Sequence, residues 1–252
     1  MPAYIFLPQK PAVYCATDFR GNLLINMTTV TSGKKRKIKL RWVFLGLIAV
    51  IAIWVGQDLL IPRSANIRDF DPDEVGRLET AMWRSYYARE RASLFAELAE
   101  TLRTQYHLPL VKSNAVAYQA AKAAFVFKDG KKREDYEKAI PYLVKFYSSI
   151  NEVSTTKFDV NRAAQLDVEW WIIHRERAKH STAELDLALA ELPAEIYHVP
   201  VQNLIEHARL RQEAMTIRDN KAEAGGVTEE DWKNIEDLLH KSYRSLHTAI
   251  NQ

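Results

Sequence analysis

The chain has 252 residues, 35 Lys/Arg against 32 Asp/Glu for a formal net charge of +3, and one cysteine. Eight glycines and nine prolines supply few turns for a sheet, and the lone cysteine, Cys15, excludes an internal disulfide framework, a zinc-thiolate centre or an iron–sulfur cluster. The net charge hides a division: residues 1–41 carry eight Lys/Arg and one acid, Asp18, for +7, while the rest carries 27 basic and 31 acidic residues, for −4. A nucleic-acid partner, which needs a basic face on the folded domain, is therefore not expected.

Residues 1–33 show no periodicity and read as the larger part of a flexible, basic, cytoplasmic tail that extends to residue 41. Met27 followed by Thr28-Thr29-Val30-Thr31 and a basic cluster has the form of a signal-anchor start, so translation from Met27 is an alternative to Met1. The cluster comprises Lys34, Lys35, Arg36, Lys37, Lys39 and Arg41. Directly after it, Trp42 to Gly56 is free of charge, about 22 Å long as a helix and short against a hydrocarbon core of about 30 Å. Carrying the span to Ile61 lengthens it at the cost of Gln57 and Asp58. The expectation is a single transmembrane helix over 42–61. The positive-inside rule puts the N-terminus in the cytoplasm and the following domain outside it.

Residues 62–71 read as a linker and 72–252 as an all-α extracytoplasmic domain: an irregular bundle of six to seven helices. Asp71 is an expected N-cap with Pro72 in the first turn. One long helix is expected from there to about Thr104, with Val75, Leu78, Met82, Tyr86, Leu94, Leu98 and Leu102 inward. Ser113 opens a second helix, running to Phe127. A third, Lys132 to Val153, is expected to kink or split at Pro141. Asp159 starts a fourth, to about Ala178. Ser181 or Thr182 starts a fifth, which Pro193 should interrupt. Pro200 opens a sixth, from Val201 to Lys221. Thr228 caps the last, whose stripe is Trp232, Ile235, Leu239, Ser242, Leu246 and Ala249.

No Gly-rich phosphate loop, G-x-S-x-G elbow or H-E-x-x-H motif is present. A di-iron bundle wants two Glu-x-x-His pairs; the chain has one, Glu195 and His198, between two prolines. Glu169 and His174 lie five apart, about 140° from one another on a helix, and cannot chelate one ion. Glu79 lies at helical spacing from Trp83, Tyr86 and Tyr87, and burial there would raise its proton affinity. Glu206, Arg209 and Glu213 share a face, the pattern of a surface or interhelical ion pair. The expected buried polar cluster is Glu79, Glu169, Arg209 and Glu213. Trp83, Tyr86, Trp170, Trp171, Trp232 and Tyr243 are expected in the core or at an interface.

These features point to a membrane-anchored interaction or scaffold module with a protein partner at the membrane, no catalytic residues and no cofactor. The alternative is an extracytoplasmic enzyme or cofactor-binding bundle with Glu/His ligands to iron or manganese.

Overall fold

The structure is a computed structural model that describes residues 40–61 and 64–252. The tail, the Met27 start and the basic residues from Lys34 to Lys39 lie outside the described residues. Two compact units are distinguished, Met1–Leu45 and Gly46–Gln252. Among the described residues the protein is all-helical; the one β-type contact is an isolated bridge between Ala65 and Ser154.

Helix α1 spans Leu40–Leu60. Its side chains from Trp42 to Val55 are exposed all round, without a polar face. Among the described residues no helix is long and apolar enough to cross a membrane.

After Ser64 come α2 (Pro72–Ala88), α3 (Arg91–Thr104), α4 (Leu110–Asp129), the single turn α5 (Arg133–Tyr136), α6 (Ile140–Val153), α7 (Val160–Arg175), α8 (Thr182–Tyr197), α9 (Ile205–Glu223) and α10 (Glu229–Ile250). Their starts follow local chemistry. The Asp71 side chain accepts from the backbone N–H groups of Asp73 and Glu74, and Asp159 does the same for Asn161 and Arg162. Ser181 with Glu184, and Thr228 with Asp231, form reciprocal capping boxes.

Three sequence expectations are corrected, and a fourth, the division at Pro141, is met. The long first helix is two helices, because Arg89 adopts a left-handed conformation (φ 63°) and its N–H caps the carbonyls of Ser85 and Tyr86. Apolar periodicity continues across that break, so spacing alone could not show it. The second helix begins at Leu110, behind Pro109, and Ser113 lies inside it. Pro193 does not interrupt α8, which runs through it to Tyr197; Pro193 is buried, and packing offsets the lost helix bond. The stretch from Lys132 does divide near Pro141, into α5, a 3-10 turn over Glu137–Ala139, and α6.

The arrangement is more regular than the expected irregular bundle. Each of α2, α3, α4, α6, α7, α8, α9 and α10 packs on its neighbour in that order, and α10 packs back on α2. These helices close a ring with alternating chain direction, as short connections impose. The ends of α7 and α4 lie together, where Arg175 donates to the carbonyls of Phe127 and Lys128, both at 3.0 Å. Closure rests on a close approach: a Cβ on Gly76 of α2 would lie 2.4 Å from the His240 ring and 3.0 Å from its backbone nitrogen on α10.

The other end of the ring is plugged. Residues 64–71 are not a free linker there. The Ala65 N–H donates to Val153 O (2.7 Å), the Thr155 N–H donates to Ala65 O (3.0 Å), and Ile67 is buried. Arg68 donates to the terminal carbonyls of α8 and α10, at Tyr197 and Ile250.

Candidate functional site

The unplugged end of the ring holds a cavity of about 760 Å³, within the ~300–1,000 Å³ usual for small-molecule sites. Six helices, α2, α3, α4, α6, α7 and α9, line it. It exists because α4 presents Ala120, Ala121 and Ala124 where a filled core would carry larger side chains. The walls are apolar and aromatic: Met82, Trp83, Leu94, Leu98, Leu143, Phe146, Trp170, Trp171 and Met215.

A polar layer forms the floor. Glu79 on α2 is buried, its side chain 6 % exposed. Arg211 on α9 donates to Glu79 Oε1 from both Nε (3.0 Å) and Nη2, while the Tyr243 hydroxyl donates to Oε2 and Trp83 Nε1 to Oε1 (3.2 Å). The Arg211 guanidinium also lies over the Trp170 ring, 4.8 Å from its centroid. Burial by itself raises the Glu79 pKa, but the Arg211 charge and the donated hydrogen bonds outweigh it, and the net shift is downward. The upward shift expected from the aromatic neighbours is thus reversed by a partner from another helix.

Asp167 on α7, also buried, has the opposite environment. Two neutral donors hold it: the Tyr147 hydroxyl and Trp170 Nε1, both at 2.8 Å. Burial dominates, and its pKa is pushed up to about 6. One floor carboxylate is therefore held ionised while the other is poised to take a proton near neutrality, the division of environments that acid–base sites use. Behind the floor, His207 is buried. Its Nδ1 lies 3.1 Å from the Ser242 carbonyl oxygen and 2.7 Å from the Ser242 hydroxyl, which also lies within hydrogen-bond distance of His207 O (2.8 Å). Desolvation, aided by the Arg211 charge, lowers the His207 pKa to about 4.

The mouth is cationic. Arg89, Lys128, Arg175, Arg177 and Arg218 line it with Asp219 and Glu223. Both acids are engaged. Asp219 meets His174 (3.1 Å), Arg218 (2.7 Å) and Arg177 (3.7 Å), and Arg177 also holds Glu223 at 2.6 Å. Burial would raise the Asp219 pKa, yet those partners carry it down to about 2.

Of the expected buried cluster, only Glu79 reaches this floor. Glu169 faces outward and pairs with Arg133. Arg209 and Glu213 pair with each other (3.5 Å), and Arg209 also with Glu206 (2.9 Å), on the exposed side of α9. The residues that meet Glu79's layer are Arg211 and Asp167, each two positions from the expected one. Two residues turn a helix by about 200°, which exchanges outside for inside. The Asp167–Trp170 hydrogen bond at i, i+3 was the available local signal; nothing local marked Arg211.

Of the expected aromatics, Trp83, Tyr86, Trp170 and Trp171 line the cavity, and Trp83, Trp170 and Trp171 also pack against the core. Tyr243 reaches the floor, and Trp232 is buried in a smaller cluster with Ala214, Ile235 and Leu239. Glu195 accepts from the Asp159 N–H (3.1 Å) and His198 ends α8, with its ring on Lys157 O (2.6 Å); they do not converge. Among the described residues, no group of three or more His, Cys, Asp or Glu side chains is placed to hold a metal ion. In comparisons with family models, curated proteins and solved structures, none matches this chain.

Proposed function

We propose that this protein is a membrane-anchored binding module whose ligand is a small molecule held in the cavity of the helical ring. The cavity carries the reading: about 760 Å³ of aromatic-walled space above a built polar floor, in a fold otherwise packed tightly enough to bury Leu78, Ile235 and Leu239. Anchoring through α1, with the N-terminus cytoplasmic and the ring on the other side, rests on the uncharged run that follows the basic cluster and on the absence of a polar face on that helix. The span would place Gln57 and Asp58 at the interface. Sodium-carbonate extraction of membranes tests the anchor: release of the full chain into the soluble fraction refutes it.

The cavity is tested by filling it. Thermal-shift screening of the full chain in lipid nanodiscs against water-soluble metabolites should find stabilisers whose effect disappears in Ala124→Phe. Stabilisers that act equally on both proteins, or none at all, would sink the reading.

A second reading, a protein-docking module, has one observation in its favour. Leu110, Val111 and Tyr118 are exposed within an arc of about 100° on α4. Apart from α1, Ile61 and Leu187, they are the large exposed apolar residues among those described, and three such side chains make a small patch. The iron or manganese alternative lacks a ligand set in the described residues.

A further inference from the structure

We propose that the ligand of this cavity is an amphipathic anion, its aromatic or apolar body inside the ring and its acidic head at the mouth between Arg89, Lys128 and Arg218. The inference rests on the cavity reading and adds the ligand's chemistry.

The cations of the mouth are not equivalent. Arg175 is occupied by the carbonyl end of α4, and Arg177 by Asp219 and Glu223. Four helices end at the mouth, and their C-terminal carbonyls account for some of the positive charge gathered there. Three cations remain with capacity for an anion.

Arg218 gives one Nη1 hydrogen bond to Asp219 (2.7 Å) and stacks over Tyr87, but its Nε–H is buried without an acceptor. That N–H is closed off from the cavity as well as from protein acceptors, so an anion at the mouth would be met by the guanidinium charge rather than by this donor. Lys128 lies over the Tyr86 ring, 5.4 Å from its centroid, with no carboxylate partner among the described residues. Tyr86 and Tyr87 touch edge to face at 5.1 Å, so these contacts bring Lys128 and Arg218 to adjoining rings.

Arg89 supplies the independent observation. It occupies a left-handed backbone position (φ 63°) at the end of α2. Glycine would serve better there, since a side chain in that region costs about 1 kcal/mol. A cation is kept at the mouth at a structural cost, with no acid paired to it among the described residues.

The body of the ligand is set by the walls. Trp83, Phe146, Trp170 and Trp171 offer ring faces and edges, while Met82, Leu94, Leu98 and Met215 supply apolar contact. Phosphate, sulfonate and carboxylate heads share the required chemistry. The plugged base, where Ala65 and Ile67 are tied down, lies at the end opposite the mouth, so the ligand enters through the mouth.

The test uses the full chain in zwitterionic nanodiscs, with empty discs as control, and three water-soluble probes: 2-naphthyl phosphate, 2-naphthol and 2-naphthylmethylammonium. Calorimetry should give naphthyl phosphate at least about tenfold tighter binding than naphthol, and the ammonium probe the weakest. Arg89→Gly and Lys128→Gln should each weaken the phosphate by about three- to tenfold and leave naphthol unchanged. Arg89→Gly should also match or exceed the wild-type Tm, which separates lost binding from lost folding. Equal binding of phosphate and naphthol, with both abolished by Ala124→Phe, overturns the anion and keeps the cavity. Binding of every probe unaffected by Ala124→Phe, or no binding, overturns both.

Discussion

Arg211 and Glu79 join the last third of the ring to its first helix: two guanidinium nitrogens of α9 meet one carboxylate oxygen of α2, 132 residues apart in sequence. Their side chains are 17 % and 6 % exposed. A pair this deep is strongly asymmetric, because removing one member leaves the other charge buried and unmatched. Arg211→Met should cost about 3–5 kcal/mol, and Glu79→Gln with Arg211→Met should cost less than Arg211→Met alone. Urea unfolding of these two variants and of Glu79→Gln alone decides it; additive losses would show that the two residues act independently.

Gly76 predicts a second effect. A methyl group there meets the His240 ring and also its backbone, so no side-chain rotation clears the contact. Gly76→Ala, which would gain helix propensity on an open surface, should instead lower stability by about 1–3 kcal/mol. A rise in Tm would mean that α2 and α10 do not close the ring as described.

Asp167 should make the protein more stable when its carboxyl is protonated. Its folded pKa, about 6, stands above the ordinary 3.8, so its contribution is fully present below the ordinary value and is lost as pH rises through 6. The difference amounts to about 3 kcal/mol at most. Asp167→Asn removes that loss but leaves one of the two donors without its carboxylate acceptor, for a net gain of about 1–2 kcal/mol at pH 8. Thermal unfolding at pH 8 and pH 4 should show the gain at the higher pH only. A gain independent of pH would place Asp167 outside the titrating group.

His207 acts in the other direction. Held neutral with a pKa near 4 against an ordinary 6.5, it contributes stability above 6.5 that is lost as pH falls toward 4. Its Cε1 resonance in an NMR titration should shift with a midpoint near 4. A midpoint above 6 would show that water reaches the ring and that the floor layer is open.

Arg218 and Tyr87 together form the platform at the mouth. Burial raises the Tyr87 hydroxyl to about 12, so it stays protonated and its ring remains a neutral platform for Arg218. Tyr87→Phe should leave naphthyl phosphate binding within about twofold, whereas Tyr87→Ala should weaken it by about three- to tenfold through loss of the stacked guanidinium. Equal effects of the two substitutions would shift the role from the ring to the hydroxyl.

The sequence by itself determined the elements whose causes are local. Asp71, Asp159, Ser181 and Thr228 each cap the helix that follows through a side chain two or three residues from its partner. The stripe from Trp232 to Ala249 is buried as its spacing requires, because one face of α10 meets α9 and α2 along its length. The helical class followed from composition. What spacing could not supply was the pairing between helices. A two-residue difference separates Arg209 in solvent from Arg211 at the floor, and Glu169 on the outer wall from Asp167 within. Both members of each pair satisfy the same local rules. The packing of each helix on its two neighbours decided which face looks inward. The cavity is likewise a property of the whole ring: α4 is merely alanine-rich in sequence, and becomes the wall of a binding site once five other helices surround the space those alanines leave.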